Sequence, residues 1–229
     1  MSKSGRKIQN VKPPDDSQTT NKKEKKVQAV TGMFLYYSRA IEPTMIVTLN
    51  NIAAVRSKPT QKMMNKCKRL MDYAATYPII KLRFFVTDMI LHIDSDATYI
   101  VQDNAKSQIA GYYILSSYPQ PAPIIPKQAP NAPILVECKT LRLVVASIAE
   151  TETGGLFHNS QTIIHIRRLL HALGCLQPPT PLKTDNSTVK TFVNKSLCQK
   201  KSKSWDMKYH WLRDEEQQKY LHVFWDRGS

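Results

Sequence analysis

Apolar residues recur at three- and four-residue intervals through Met45, Ile46, Leu49, Ile52 and Ala53, the spacing of one buried helical face. Pro43 suits the first turn of such a helix, because its missing N–H would have no partner there. After a break at 57–60, Met63, Met64, Cys67, Leu70, Met71 and Ala74 repeat the interval until Pro78 stops the run. The pattern predicts a small α-helical hairpin. A methionine-rich stripe at this spacing is core packing.

From Lys81 to Ser117 the chain turns to β-branched and aromatic residues, with Met89–Asp94 and Ile109–Ser116 as the strand candidates. Residues 118–133 hold six prolines, which cannot donate to a sheet ladder and favour an extended loop. Pro133–Thr140 reads as a third strand. A long helix is expected from Val144 to Leu173, with Ala149, Leu156, Ile163, Ile166, Leu170 and Leu173 along its buried side and Gly174 closing it. Pro178–Thr184 predicts a strand, Asn186–Asn194 a short helix, Trp205–Lys219 another helix and Tyr220–Trp225 a last strand.

Composition changes the picture at the N-terminus. Residues 1–26 have almost no large apolar side chains, so they are expected to form a disordered basic tail. The remainder divides into a helical segment, 27–80, and an α/β domain, 81–229. A net charge of +15 favours a polyanionic partner, nucleic acid first and a membrane surface second. No stretch reaches the roughly 20 apolar residues that cross a bilayer, which points to an intracellular protein. Cys67, Cys138, Cys175 and Cys198 stand singly, without the close pairs of zinc or redox motifs.

Acids are scarce, which makes their placement informative. Asp96 is expected at the end of the first strand, Glu150 and Glu152 in the long helix, and Asp185 at the end of the fourth strand. If those strands are parallel neighbours, Asp96 and Asp185 emerge together and a helix carboxylate can join them. Converging hard oxygen ligands suit Mg²⁺, with Mn²⁺ as the alternative, and two such ions catalyse phosphodiester hydrolysis. Helix residues two apart point about 200 degrees from each other, so only one glutamate can face the sheet. Glu152 lies on the buried stripe, with Glu150 as the alternate. The same acids also suit helix caps or lysine pairs on a basic surface.

Several ordered segments resemble the C-terminal part of copia-type retrotransposon Pol polyproteins. GMFLYYSRAIEPTM and LMDYAATYP resemble the reverse-transcriptase thumb; HIDSDATYI, SIAETETGGL, LKTDNSTV and SWDMKYHWLRDEE resemble successive RNase H motifs. The resemblance implies an RNase H-like five-stranded mixed sheet with helices on both faces, preceded by the helical hairpin. It implies metal-binding and catalytic roles for Asp96, Glu152 and Asp185, with Glu150 as the neighbouring acid. The implied substrate is the RNA strand of an RNA:DNA hybrid, in a protein that has upstream Pol domains when the element is full-length. Lys200, Lys201, Lys203 and Lys208, with Trp205 and Trp211 interleaved, suit phosphate contacts beside the cleft, and equally a solvated helix face. His210 in the late helix suits a role in product release or simple packing.

The chain also departs from that pattern. Thr151 and Gly155 replace alanines, Asn159 replaces a small apolar residue, and Gln108 and Ala110 stand where arginine and glycine are usual. The family's fourth acid belongs to an N-x-x-A-D segment beyond the last strand, and Asp226 comes too early to be its counterpart. The rival expectation is therefore a catalytically impaired nucleic-acid-binding remnant of the same fold.

Overall fold

The computed structural model describes residues 21–54, 60–102, 106–117, 131–141, 145, 147–194 and 203–226. Two compact units part between Ile80 and Lys81.

In the first unit the expected hairpin is present as α2, Ile46–Ala54, and α3, Gln61–Thr76. A 3₁₀ turn at Pro43–Met45 leads into it, with Pro43 in its first turn. Val27, Val30, Met45, Leu49, Ile52, Cys67 and Leu70 form the buried cluster. Two of its members belong to a further helix, α1, which runs Asn21–Ala40 and so takes in residues 21–26 of the expected tail. Its inward face also buries Thr31 and Ser38, and these polar positions blur the apolar rhythm. Their hydroxyls are satisfied within the helix, Thr31 Oγ1 donating to the Val27 carbonyl at 2.9 Å and Ser38 Oγ to that of Leu35 at 3.1 Å.

The second unit is a five-stranded sheet in the order β3-β2-β1-β4-β5. The strands are β1 Ile90–Gln102, β2 Lys106–Ser116, β3 Leu135–Thr140, β4 Thr180–Thr184 and β5 Leu221–Trp225. β1, β2 and β3 are mutually antiparallel, whereas β4 lies parallel to both β1 and β5. Leu91, Ile93, Tyr113, Leu182 and Val223 bring the sheet's buried side chains to Leu156, Ile163 and Leu170. Those three lie seven residues apart on α4, Ile148–Ala172, which packs across β1, β2 and β4. α5, Ser187–Asn194, and α6, Lys203–Gln217, complete the unit.

The ends of α4 show why its bounds are narrower than the apolar pattern predicts. Ser147 is the N-cap, its hydroxyl accepting from the Glu150 backbone N–H at 3.1 Å, so the helix begins at Ile148; Val144, the expected start, lies outside the described residues. Gly174 adopts φ +84° just beyond the other end, a conformation that favours glycine. Leu173, expected on the buried stripe, is exposed because it sits at the C-cap, where the helical phase has ended.

β1 extends well past Asp94, where the expected strand stopped. Its ladder with β2 continues to Thr98 opposite Gln108 and shifts register before Gln102 pairs with Lys106. Ile100 takes a positive φ of 51° inside that irregularity. Asp96 is thus an interior residue of β1, not its end. No helix among the described residues is long and apolar enough to cross a membrane.

Candidate metal centre

The parallel β1–β4 ladder pairs Ile93 with Leu182 and Asp94 with Lys183. Two residues further along each strand, Asp96 comes level with Asp185. β4 ends at Thr184, whereas β1 runs on, still paired with β2, beside the point where Asp185 leaves the sheet. An acid in the middle of a long strand and an acid just after a short one therefore meet at one sheet edge.

The third acid comes from α4. Gly155, one turn beyond Glu152, has no side chain to hold the helix off β1: a methyl group there would lie 3.4 Å from the Ala97 Cβ and 3.7 Å from the Asp96 carbonyl oxygen. An alanine methyl would fit there at ordinary contact distances. Asp96, Glu152 and Asp185 each contribute one carboxylate oxygen to a group whose members all lie within 4.8 Å of one another. Asp96 and Asp185 are exposed; Glu152 is 3% exposed.

Glu152 is out of balance in this setting. Burial, then the negative charges of Asp185 and Asp96, push its carboxyl up to about 8, against the Ala97 backbone N–H that favours the ionised form. Its Oε2 atom has no hydrogen-bond partner. A buried carboxylate with an unpartnered oxygen, close to two other carboxylates, is expensive unless a proton or a cation joins it. The donor set is all oxygen and all acidic, which fits Mg²⁺ or Mn²⁺.

No protein-family model matches the sequence. The foamy viral protease-reverse transcriptase solved with an RNA/DNA hybrid matches 97% of this chain at 12% identity and a TM-score of 0.56. This chain spans about a quarter of that protein, 26% of its length. The fold is RNase H-like. An RNase H1 isolated from compost by a metagenomic approach matches 61% of this chain and 85% of its own, at 8% identity and a TM-score of 0.41. RNase H1 from the halophilic archaeon Halobacterium salinarum matches 60% and 85%, at 8% identity and a TM-score of 0.38.

Within the RNase H-like unit, the remaining expected residues fall in different places. Glu150 stays on the first turn of α4, where a negative charge complements the helix N-terminus, and is outside the carboxylate group. Lys200 and Lys201 lie outside the described residues, as does the side chain of Lys203; Lys208 is half-buried on α6. Trp211 packs edge-on against Phe157 with ring centroids 5.1 Å apart, so it serves the core. His210 is exposed beside the Tyr209 ring. Cys67 and Cys138 are buried, Cys175 is half-buried, and Cys198 lies outside the described residues.

Pattern reading missed the groups that steady the centre. Asn159 donates to Ser95 Oγ at 2.8 Å and to the Ala110 carbonyl at 2.9 Å, and accepts from the Tyr113 hydroxyl at 3.1 Å. It stitches α4 to β1 and β2 next to Asp96. A Cβ on Gly111 would come within 2.6 Å of Asn159 Oδ1, so the glycine is what admits the larger polar side chain.

Proposed function

We propose that this chain hydrolyses the RNA strand of RNA:DNA hybrids, with Asp96, Glu152 and Asp185 holding Mg²⁺ or Mn²⁺. The observation that carries the reading is the convergence of one carboxylate oxygen each from Asp96, Glu152 and Asp185 to within 4.8 Å of one another, with Glu152 buried and its Oε2 unpartnered. Bound divalent ions supply the chemistry by lowering the pKa of an attacking water and stabilising the leaving oxygen. Glu152 fixes the inner side of the centre. Asp96 and Asp185 leave its outer side open to a phosphodiester.

A net charge of +15 supports a phosphate-backbone partner, since basic side chains release counterions whatever the base sequence. A hybrid would be read by its shape and its 2′-hydroxyls. The foamy viral protein, solved with an RNA/DNA hybrid, supports the same substrate class.

The ordered motifs support an origin in the C-terminal part of a copia-type Pol polyprotein. In that reading residues 27–80 are thumb-like, residues 81–229 are the RNase H-like domain, and further Pol domains lie upstream in a full-length element. The foamy viral match, extending over nearly the whole chain, is consistent with that order.

The test is incubation with a hybrid labelled separately on its RNA and DNA strands, in Mg²⁺, Mn²⁺ or EDTA. RNA-strand cleavage with either metal, absent in EDTA and in Asp185→Asn, is the expected result. Retention of the hybrid without cleavage in both metals would replace the nuclease with the binding remnant.

A further inference from the structure

The RNase H-like unit opens with residues 81–86, KLRFFV, which belong to no helix or strand and are nevertheless pinned. The Ala132 backbone N–H donates to the Arg83 carbonyl at 2.9 Å, and the Phe85 N–H donates to Asn131 Oδ1 at 2.9 Å. Asn131 in turn donates through Nδ2 to the Leu115 carbonyl at 3.0 Å, which ties the segment to the end of β2. Just beyond, the Asp88 N–H donates to Ser117 Oγ at 3.2 Å. Arg83 and Phe85 turn backbone polar groups to the same neighbour, the arrangement of an extended chain, so residues 83–85 are held straight.

The side chains on this fixed backbone face solvent. Phe84 is 59% exposed and Phe85 51%, and Val86 after them is fully exposed. Lys81 and Arg83 are exposed as well, and neither is paired with an acid among the described residues. Clustered exposed apolar groups mark interaction sites, and the interleaved cations select the partner. An apolar protein surface would leave both cations facing it without counter-charge. A nucleic-acid strand supplies both halves, because every base has a face for a ring to stack on and every phosphate has a charge for a lysine or arginine. Holding the backbone in advance lowers the ordering entropy that such a contact costs.

We propose that residues 81–86 form a binding strip for single-stranded nucleic acid, with Phe84 and Phe85 stacking on bases and Lys81 and Arg83 pairing with phosphates. Adjacent residues of an extended chain point to opposite sides, so Arg83 and Phe85 share one side and Phe84 takes the other. A strand crossing the segment can therefore place a base on each ring. Bases within a duplex are already stacked on one another, so the strip favours an unpaired strand. It is also remote from the carboxylates: Leu115 pairs with Leu91, and Asp96 lies further along β1 by roughly 17 Å at the strand rise. The strip contributes affinity without touching the metal centre, and the inference stands independently of cleavage there.

Fluorescence anisotropy of labelled oligothymidylate and oligouridylate, set against a blunt RNA:DNA hybrid of equal length, tests this on the full chain in EDTA. Chelation keeps metal chemistry out of the readout, so failure here leaves the nuclease reading standing. The double variant Phe84→Ala/Phe85→Ala should weaken single-strand binding at least about tenfold, the scale of lost base–aromatic stacking, and change hybrid binding less than about twofold. Phe84→Leu/Phe85→Leu keeps apolar bulk and should lose as much, whereas Phe84→Tyr/Phe85→Tyr should retain affinity. Arg83→Gln should lower the salt slope by about 0.7, the value of one single-strand phosphate contact. A leucine variant that binds the single strands as the unmodified chain does, or loses hybrid and single strand equally, overturns the strip. Unchanged single-strand binding with loss of a dimer in sedimentation would assign the rings to a second copy of the chain and overturn it too.

Discussion

The indole N–H of Trp225 donates to the backbone carbonyl of Asp185 at 2.9 Å. The last residue of β5 thereby holds the chain just where β4 delivers its acid. Trp225→Phe keeps the ring and removes the donor. It should lower Mn²⁺ affinity by roughly tenfold, as loss of a supporting hydrogen bond around a metal site does. Unfolding in denaturant should change by less than about 1 kcal/mol, because one partly exposed hydrogen bond contributes little net stability. A variant that unfolds more easily yet binds Mn²⁺ normally would reduce Trp225 to packing.

Asn159 is fully integrated, with three polar partners around it. Asn159→Ala would take one buried partner from the Tyr113 hydroxyl, which keeps Thr162, and one from the Ser95 hydroxyl, and would leave a cavity in place of the amide. A loss of about 2–3 kcal/mol in denaturant unfolding is expected. A loss below about 0.5 kcal/mol would mean that water replaces the amide without cost.

Much of this architecture is legible in the residues themselves. Leu156, Ile163 and Leu170 mark the buried side of α4, and Gly174 marks its end, because helix periodicity and a positive φ leave distinct signatures. The choice of Glu152 over Glu150 as the acid that faces the sheet follows from the same phase. α1 escapes notice because Thr31 and Ser38 occupy its inward face and lysines crowd its start. The run of β1 beyond Asp96, the expected strand end, escapes for another reason: it depends on cross-strand pairing with β2, which continues past Asp96 opposite Ala110 to Thr98 opposite Gln108. Asn159 and Trp225 act across elements, so no local pattern reveals their partners.

The Glu152 carboxyl is pushed up to about 8, so between about 4.5 and 8 the folded protein holds a proton that the unfolded chain releases. Stability without metal should therefore fall as pH rises through that window. Glu152→Gln removes the dependence. At pH 8.5 in EDTA the variant should melt several degrees above the unmodified chain, and added Mg²⁺ should raise the unmodified chain alone. A lower melting point for the variant under those conditions would contradict the cost assigned to the buried charge.

Glu137, on β3, titrates in the opposite sense. The hydrogen bond from His158, with Lys139 acting in the same direction, holds its carboxyl down at about 2 despite burial. Lys139 Nζ is 2.7 Å from Oε1, and His158 Nε2 is 3.4 Å from Oε2. A depressed carboxyl stabilises the fold above its unfolded pKa and loses that contribution as pH falls through the folded value. The stability difference between the unmodified chain and Glu137→Gln should be on the order of 2 kcal/mol at pH 6 and shrink as pH falls from about 4.5 towards 2. A difference independent of pH across that range would show that the ion cluster does not couple to folding.

The central claim is that Glu152, with Asp96 and Asp185, forms a metal-dependent phosphodiester-cleaving centre. Single-turnover cleavage of the RNA strand of a hybrid, compared among the unmodified chain, Glu152→Gln and Glu150→Gln over a range of Mg²⁺ and Mn²⁺, tests it most directly. The prediction is cleavage that requires the metal, is lost in Glu152→Gln and survives in Glu150→Gln. Equal losses in the two variants, or no cleavage by the unmodified chain with either metal, would contradict it.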